Sequence, residues 1–313
     1  HHPVPHNPHA HLRYAQFPGA HTKGNTMQRR TFLTALGAFA TATTLAACGG
    51  STQSGSSGAS SAVGLRTVDE IKSAGTIIIG VFSDKSPFGY VDSSGDYAGY
   101  DIEYGNRIAQ DLGVEVKYVP VEAASRVEFL QTGKVDLILA NFTVTPERAE
   151  KVDFANPYMK VSLGVVAKQD LAITKVEDLA DKKVIVVKGT TAETYFEDNH
   201  PEVKLQKYDQ YTEATNALAD GRGDAWATDN TEALAWAPNN PGFTVGITSL
   251  GAVDTIAGAV RKGNTTLLEW LNEELVELGN EQFFHAAYDK TLRLVYGDAV
   301  PADELVVEGG VVA

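Results

Sequence analysis

Short apolar runs alternating with helix-spaced segments constrain this chain more than any other feature. Thr76-Ile77-Ile78-Ile79-Gly80-Val81 is an apolar run bounded by turn formers and reads as a buried strand. Val68 to Ala74 carries a short helix pattern just before it. From Tyr100 to Leu112, Ile102, Ile108 and Leu112 fall at helical spacing, and Gly113 follows as a stop. Val114 to Val119 alternates as a strand. Ser125-Arg126-Val127-Glu128 has the form of a capping box opening a helix to about Thr132, and Val135 to Ala140 is a further apolar run. Strand–helix–strand order of this kind predicts a mostly parallel sheet with helices on its faces.

The pattern then resumes. Val161 to Ala167 and Lys183 to Val187 read as strands, Asp209 to Ala219 as a helix, and Asp224 to Asp229 as a strand ending in a carboxylate. Val161 to Ala167 is expected to cross between the two series, and the chain to cross back around Ser249 to Ala259. Leu267 to Leu278 is amphipathic, Glu281 to Tyr296 reads as one more helix, and Glu304 to Ala313 carries little signal.

Candidate chemistry gathers where strands end. After Leu139-Ala140-Asn141-Phe142-Thr143-Val144, Thr145 precedes Pro146 as an N-cap before a first-turn proline. This sets the Thr143 hydroxyl, a helix start and the Arg148 guanidinium around one point, a plausible holder for a small carboxylate. Taken alone, the segment also fits a plain connection with Arg148 in solvent. Lys188-Gly189-Thr190-Thr191 leads from strand to helix, and either threonine suits the cap; Asp229 stands at a strand's carboxyl end, where α/β folds bind ligands.

Charge and missing motifs exclude several classes. With 40 acidic against 26 basic residues the net charge is −14, a poor balance for binding nucleic acid or anionic lipid surfaces. No P-loop, G-x-S-x-G, H-E-x-x-H or strand-following G-x-G-x-x-G occurs, and Cys48 is the single cysteine. No metal site and no cofactor are therefore expected.

The N-terminal part has its own logic. Residues 1–26 hold six of the eight histidines and no acidic residue, and read as an upstream extension or tag without order. Residues 27–47 show a basic start, an apolar stretch and Leu45-Ala46-Ala47 before Cys48. They read as a signal peptide. Leu45-Ala46-Ala47-Cys48 is similar to a bacterial lipobox, which implies lipid on Cys48, and residues 48–64 form a Ser/Gly tether.

From Leu65 to Gly310 the chain resembles the extracellular solute-binding proteins of family 3, the polar amino acid-binding proteins of ATP-driven importers. The resemblance is carried by Ala140-Asn141-Phe142-Thr143-Val144-Thr145-Pro146-Glu147-Arg148 and Val152-Asp153-Phe154-Ala155-Asn156-Pro157-Tyr158. It implies an α/β, two-lobed periplasmic-binding-protein-like II fold, with residues 65–160 plus 252–313 as one lobe, 161–251 as the other, and two crossing strands as hinge. Together with the lipobox likeness at Leu45 to Cys48, it implies a lipid-anchored monomer on the extracytoplasmic face of the cell membrane, periplasmic in a two-membrane cell. Such a protein is not an enzyme; it captures a free L-amino acid and delivers it to ABC permease membrane subunits. A dehydratase-type enzyme on the same fold is the alternative of another class.

By the same resemblance, Arg148, Thr143, Thr190 and Thr191 hold the ligand's carboxylate, Asp229 and the Asn141 carbonyl take its ammonium, and Phe82 and Phe88 form walls. Replacing Arg148 or Asp229 should then weaken binding and leave folding nearly unchanged. Arg126 stands where acidic-amino-acid binders carry an arginine, which implies aspartate or glutamate. Yet Val121 to Leu130, Phe82 to Tyr90, Asp229-Asn230-Thr231 and Glu281 to His285 look most like members that bind cysteine. Neutralisation of Arg126 by Glu122 or Glu128 would suit that ligand, and a solvated Arg126 is the third reading.

Overall fold

The computed structural model describes residues 64–313. The extension, the signal peptide, Cys48 and all but the end of the tether lie outside the described residues.

Helix α1 (Val68–Ala74) starts at a complete capping box on Thr67 and stops at Gly75 in the left-handed conformation. Strand β1 (Thr76–Val81) leads to a small three-stranded sheet of β2 (Asp84–Lys85), β3 (Gly89–Val91) and β4 (Tyr97–Ala98). Helix α2 (Tyr100–Leu112), strand β5 (Glu115–Pro120), helix α3 (Arg126–Gln131) and strand β6 (Leu137–Ile138) follow. A four-residue helix α4 (Pro146–Ala149) enters the long strand β7 (Val152–Lys168). The second series is β8 (Lys183–Val187), α5 (Thr191–Asn199), β9 (Lys204–Tyr208), α6 (Tyr211–Ala219), β10 (Ala225–Asp229) and α7 (Asn230–Trp236). The long β11 (Phe243–Arg261) returns, and α8 (Thr265–Asn280), α9 (Phe283–Lys290), α10 (Arg293–Tyr296) and α11 (Ala302–Leu305) close the chain.

The main sheet runs β5-β1-β6-β11-β7-β10-β8-β9. At one end β5, β1 and β6 are parallel; at the other β10, β8 and β9 are parallel. The antiparallel pair β7 and β11 joins these two lobes, and its register slips between Leu250 and Asp254, where the strands pass from one half to the other. The two-lobed architecture with two crossing strands follows from this order. The carboxyl ends of β1, β6, β8 and β10 all open toward the gap between the halves, where α/β sheets bind ligands.

Two local expectations are corrected, and the tail that carried little signal gains structure. Ser125 does not cap α3: a 3-10 turn over Ala123–Ser125 leaves it in helical backbone, and its hydroxyl makes no cap bond. The helix expected over 281–296 breaks into α9 and α10 around Thr291 and Leu292. The tail is not featureless, since Leu305, Val306 and Val307 are buried and Val306 bridges to Met159 on β7.

Candidate ligand site between the two halves

The chain after β6 provides the first wall. Asn141 adopts a left-handed φ of 45°, which asparagine tolerates better than most residues. Its backbone N–H donates to Asp101 Oδ2 at 2.9 Å, and Tyr158 donates its hydroxyl to Asp101 Oδ1 at 2.7 Å. Burial pushes the Asp101 carboxyl up to about 7, against the opposing pull of Tyr158, Lys85 and the Asn141 N–H. Asp101 thus holds Asn141 in its turn without reaching the cavity.

Thr145 caps α4 as expected, accepting from the Arg148 N–H at 3.2 Å, with Pro146 in the first turn. A four-residue helix has too few aligned peptides to hold an anion by itself. The charge comes from Arg148, whose guanidinium donates to the Thr143 carbonyl at 2.8 Å and, across the gap, to the Gly189 carbonyl at 2.9 Å. Arg126 donates to the carbonyls of Ala123, Ala140 and Gly189 at 3.0–3.1 Å. Both guanidinium carbons lie over the Phe142 ring, at 4.3 and 4.7 Å from its centroid.

Arg126 is therefore neither solvated, being 3% exposed, nor neutralised by Glu122 or Glu128. Among the described residues the two guanidiniums bond main-chain carbonyls and no carboxylate. Burial, and then Arg126 as a like charge, pull Arg148 down to about 9. Two unmatched cations side by side, Arg126 buried and Arg148 half-buried, favour an incoming anion.

The second half supplies the opposite wall. Thr190 caps α5: its hydroxyl donates to the Val187 carbonyl at 2.7 Å and accepts from the Glu193 N–H at 3.4 Å. That leaves the first-turn N–H groups of Thr191 and Ala192 to face the gap. Asp229, at the end of β10, is 8% exposed and accepts from Lys85 at 2.6 Å. Arg126, Asn141, Thr143 and Arg148 from one half meet Thr190, Thr191, Tyr211 and Asp229 from the other around a cavity with about 10 Å³ of water-accessible space. That is room for about one water, so the halves stand closed. A groove of about 820 Å³ continues outward past Arg148, Gly189 and Tyr195.

Phe82 and Phe88 stand one layer back from this cavity. Phe88 is fully buried in the core, and Phe82 packs edge-on against Tyr211 at 5.1 Å. Between them lies Lys85, which sequence reasoning missed. It is 1% exposed, donates to Asp229 and to Asn141 Oδ1, and has its Nζ within 4.9–5.8 Å of the ring centroids of Phe82, Phe88 and Tyr211. The available signal was a lysine set among turn and aromatic residues in Phe82-Ser83-Asp84-Lys85-Ser86-Pro87-Phe88.

Closure depends on a close approach at Gly189. Its φ is +78°, and a Cβ there would lie 2.5 Å from the Ala124 Cα of the other half. Gly189→Ala is expected to hold the halves apart, besides costing roughly 1–2 kcal/mol for the left-handed backbone. Small-angle X-ray scattering should show a larger radius of gyration than for the wild type; superimposable curves would show that closure does not need this contact.

Comparison with known proteins agrees with this geometry. The profile of bacterial extracellular solute-binding proteins, family 3, matches residues 77–293. An ABC transporter glutamine-binding protein of Bacillus subtilis (strain 168) is 34% identical over 256 residues, covering 80% of this chain and 92% of the relative. The crystal structure of a cysteine-binding protein from Campylobacter jejuni is 55% identical with a TM-score of 0.76, covering 77% of this chain and 98% of that one. The solute receptor for L-cysteine of Neisseria gonorrhoeae is 53% identical with a TM-score of 0.76, covering 78% and 100%. With a closed interlobe cavity lined by buried charge and a family match across most of the described residues, this chain belongs to the bacterial extracellular solute-binding proteins of family 3.

Proposed function

We propose that this protein captures free L-cysteine between its two lobes and hands it to the permease of an ATP-driven amino-acid importer. The observation that carries the amino-acid reading is the arrangement of opposite charges on opposite lobes. Unmatched guanidiniums, Arg148 foremost, stand on one lobe, and Asp229 stands on the other. One zwitterion can bridge both, with its carboxylate on Arg148, Thr143 and the α5 N–H groups and its ammonium on Asp229 and the Asn141 carbonyl. A ligand that touches both lobes favours the closed state by its differential affinity for it.

The cysteine assignment draws on the two cysteine-binding relatives above, both more than half identical to this chain. The excess of buried positive charge favours aspartate or glutamate as the second reading. Against it, Arg126 already spends bonds from each of its nitrogens on main-chain carbonyls. Titration calorimetry under reducing conditions is expected to show cysteine binding at least tenfold tighter than glutamate, a gap of about 1.4 kcal/mol. Tight glutamate binding with no heat from cysteine would overturn the assignment.

The reading places the protein outside the cytoplasmic membrane as a binding protein rather than an enzyme, held there by lipid on Cys48. No helix among the described residues is long and apolar enough to cross a membrane. Cys48→Ala is expected to leave unprocessed precursor and to release or misplace the protein, visible by fractionation and immunoblot. Unchanged processing and retention would exclude lipid attachment at that residue.

A further inference from the structure

Lys85 is the one buried cation of the site that the functional reading leaves without a task. It reaches Asp229 from the opposite lobe at 2.6 Å and Asn141 Oδ1 at 2.8 Å, and both partners line the cavity. Burial works against its charge, and Asp229, Tyr211 and Glu232 outweigh that effect, so Lys85 stays protonated. Its Nζ is packed among Phe82, Phe88 and Tyr211, a setting that suits an ammonium and resists its leaving.

Each carboxyl packed close to Lys85 is already engaged, and Asp254 lies farther out, on the groove past Arg148. Asp101 accepts from Asn141 and Tyr158, Glu232 accepts from the Thr228 hydroxyl at 2.7 Å, and Asp229 gives one oxygen to Lys85. With the ligand's ammonium on the remaining oxygen of Asp229, a cationic side chain turned toward this end would meet Lys85 and Arg126 before any carboxylate left to pair with it. A long neutral side chain directed to the Asp229 end, away from the outward groove, would need the space that the Lys85 stem and its three aromatic neighbours fill.

Resting on the amino-acid reading above, we propose that Lys85 is the residue that sets side-chain specificity, closing the Asp229 end of the cleft so that only small, non-cationic amino acids fit. Charge rejects arginine and lysine, and bulk rejects glutamine. Arg126, by contrast, braces the cavity through its carbonyl bonds.

The test is calorimetry of cysteine, glutamine and arginine on the wild type, Lys85→Met and Lys85→Ala, with thermal melts of each. The wild type is expected to bind arginine and glutamine at least a hundredfold more weakly than cysteine. Lys85→Met keeps most of the bulk without the charge and should narrow the arginine gap tenfold or more while still refusing glutamine. Lys85→Ala should narrow the glutamine gap as well. Selectivity ratios that stay within about threefold of wild type in both variants would overturn the inference and leave cysteine binding intact. So would a wild type that takes glutamine or arginine as readily as cysteine, which decides the matter even where a variant fails to fold. A wild type that binds no amino acid would overturn the functional reading, and this inference with it.

Discussion

Asp229→Ala is expected to lower both stability and ligand affinity, and to be the most damaging single change in the cleft. Lys85 lies 1% exposed with Asp229 as its only ion-pair partner among the described residues. Removing the carboxylate leaves a buried ammonium with Asn141 Oδ1 as its remaining hydrogen-bond partner and three aromatic rings around it. Breaking a buried pair from one side costs roughly 3–5 kcal/mol, because the surviving charge stays desolvated. For a chain of this size that corresponds to a melting-temperature drop of roughly 10 °C. The ligand's ammonium loses its carboxylate at the same time, so calorimetry should find cysteine binding reduced by roughly a hundredfold or more. From sequence alone Asp229 looked like a residue whose loss would spare the fold; the lysine behind it reverses that expectation. A variant that melts with the wild type would show that Lys85 relaxes to water when unpaired.

Arg148→Ala should separate the two effects. The guanidinium sits beside Arg126, and burial and that like charge already pull its pKa down. Its removal relieves repulsion between two unmatched cations, while the hydrogen bonds to the carbonyls of Thr143 and Gly189 are lost. These contributions oppose one another, so the melting temperature should move by only a few degrees. Binding has no such compensation: the ligand's carboxylate would enter a closed, nearly dry cavity without its main partner. A loss of roughly 3–5 kcal/mol is expected, about two to three orders of magnitude in affinity. Arg148→Lys should recover little of it, since an ammonium cannot reproduce the planar fork that meets a carboxylate with two bonds. Near-native affinity in Arg148→Ala would remove this residue from the site.

Much of the scaffold was legible because its signals are local. β1 at Thr76–Val81, α1 at Val68–Ala74 and α2 at Tyr100–Leu112 have the ends that apolar patterning and the stop at Gly113 indicate. The Thr145-Pro146 helix start is legible for the same reason, as cap and recipient lie three residues apart. Failures followed where a local pattern had a competitor. Ser125 has the right spacing to cap α3, but the preceding 3-10 turn puts its backbone in the helical region, where its hydroxyl cannot reach the free N–H groups.

The amino-acid order thus determined the types of the strongly periodic elements, several helix ends, the parallel strand–helix series, and which residue types gather at strand ends, and the family resemblance added the two crossing strands. Only the tertiary structure decided which charges are buried and what they touch. Lys85 acquires its role from residues 56 and 144 positions away, Asp101 from residues 40 and 57 away, and Arg126 loses its solvent to a carbonyl 63 residues along. Helix and strand preferences are set by neighbours within a few positions. The fate of an ionisable side chain is set by the solvent it loses and the partners it meets, and those come from strands that the fold alone brings together.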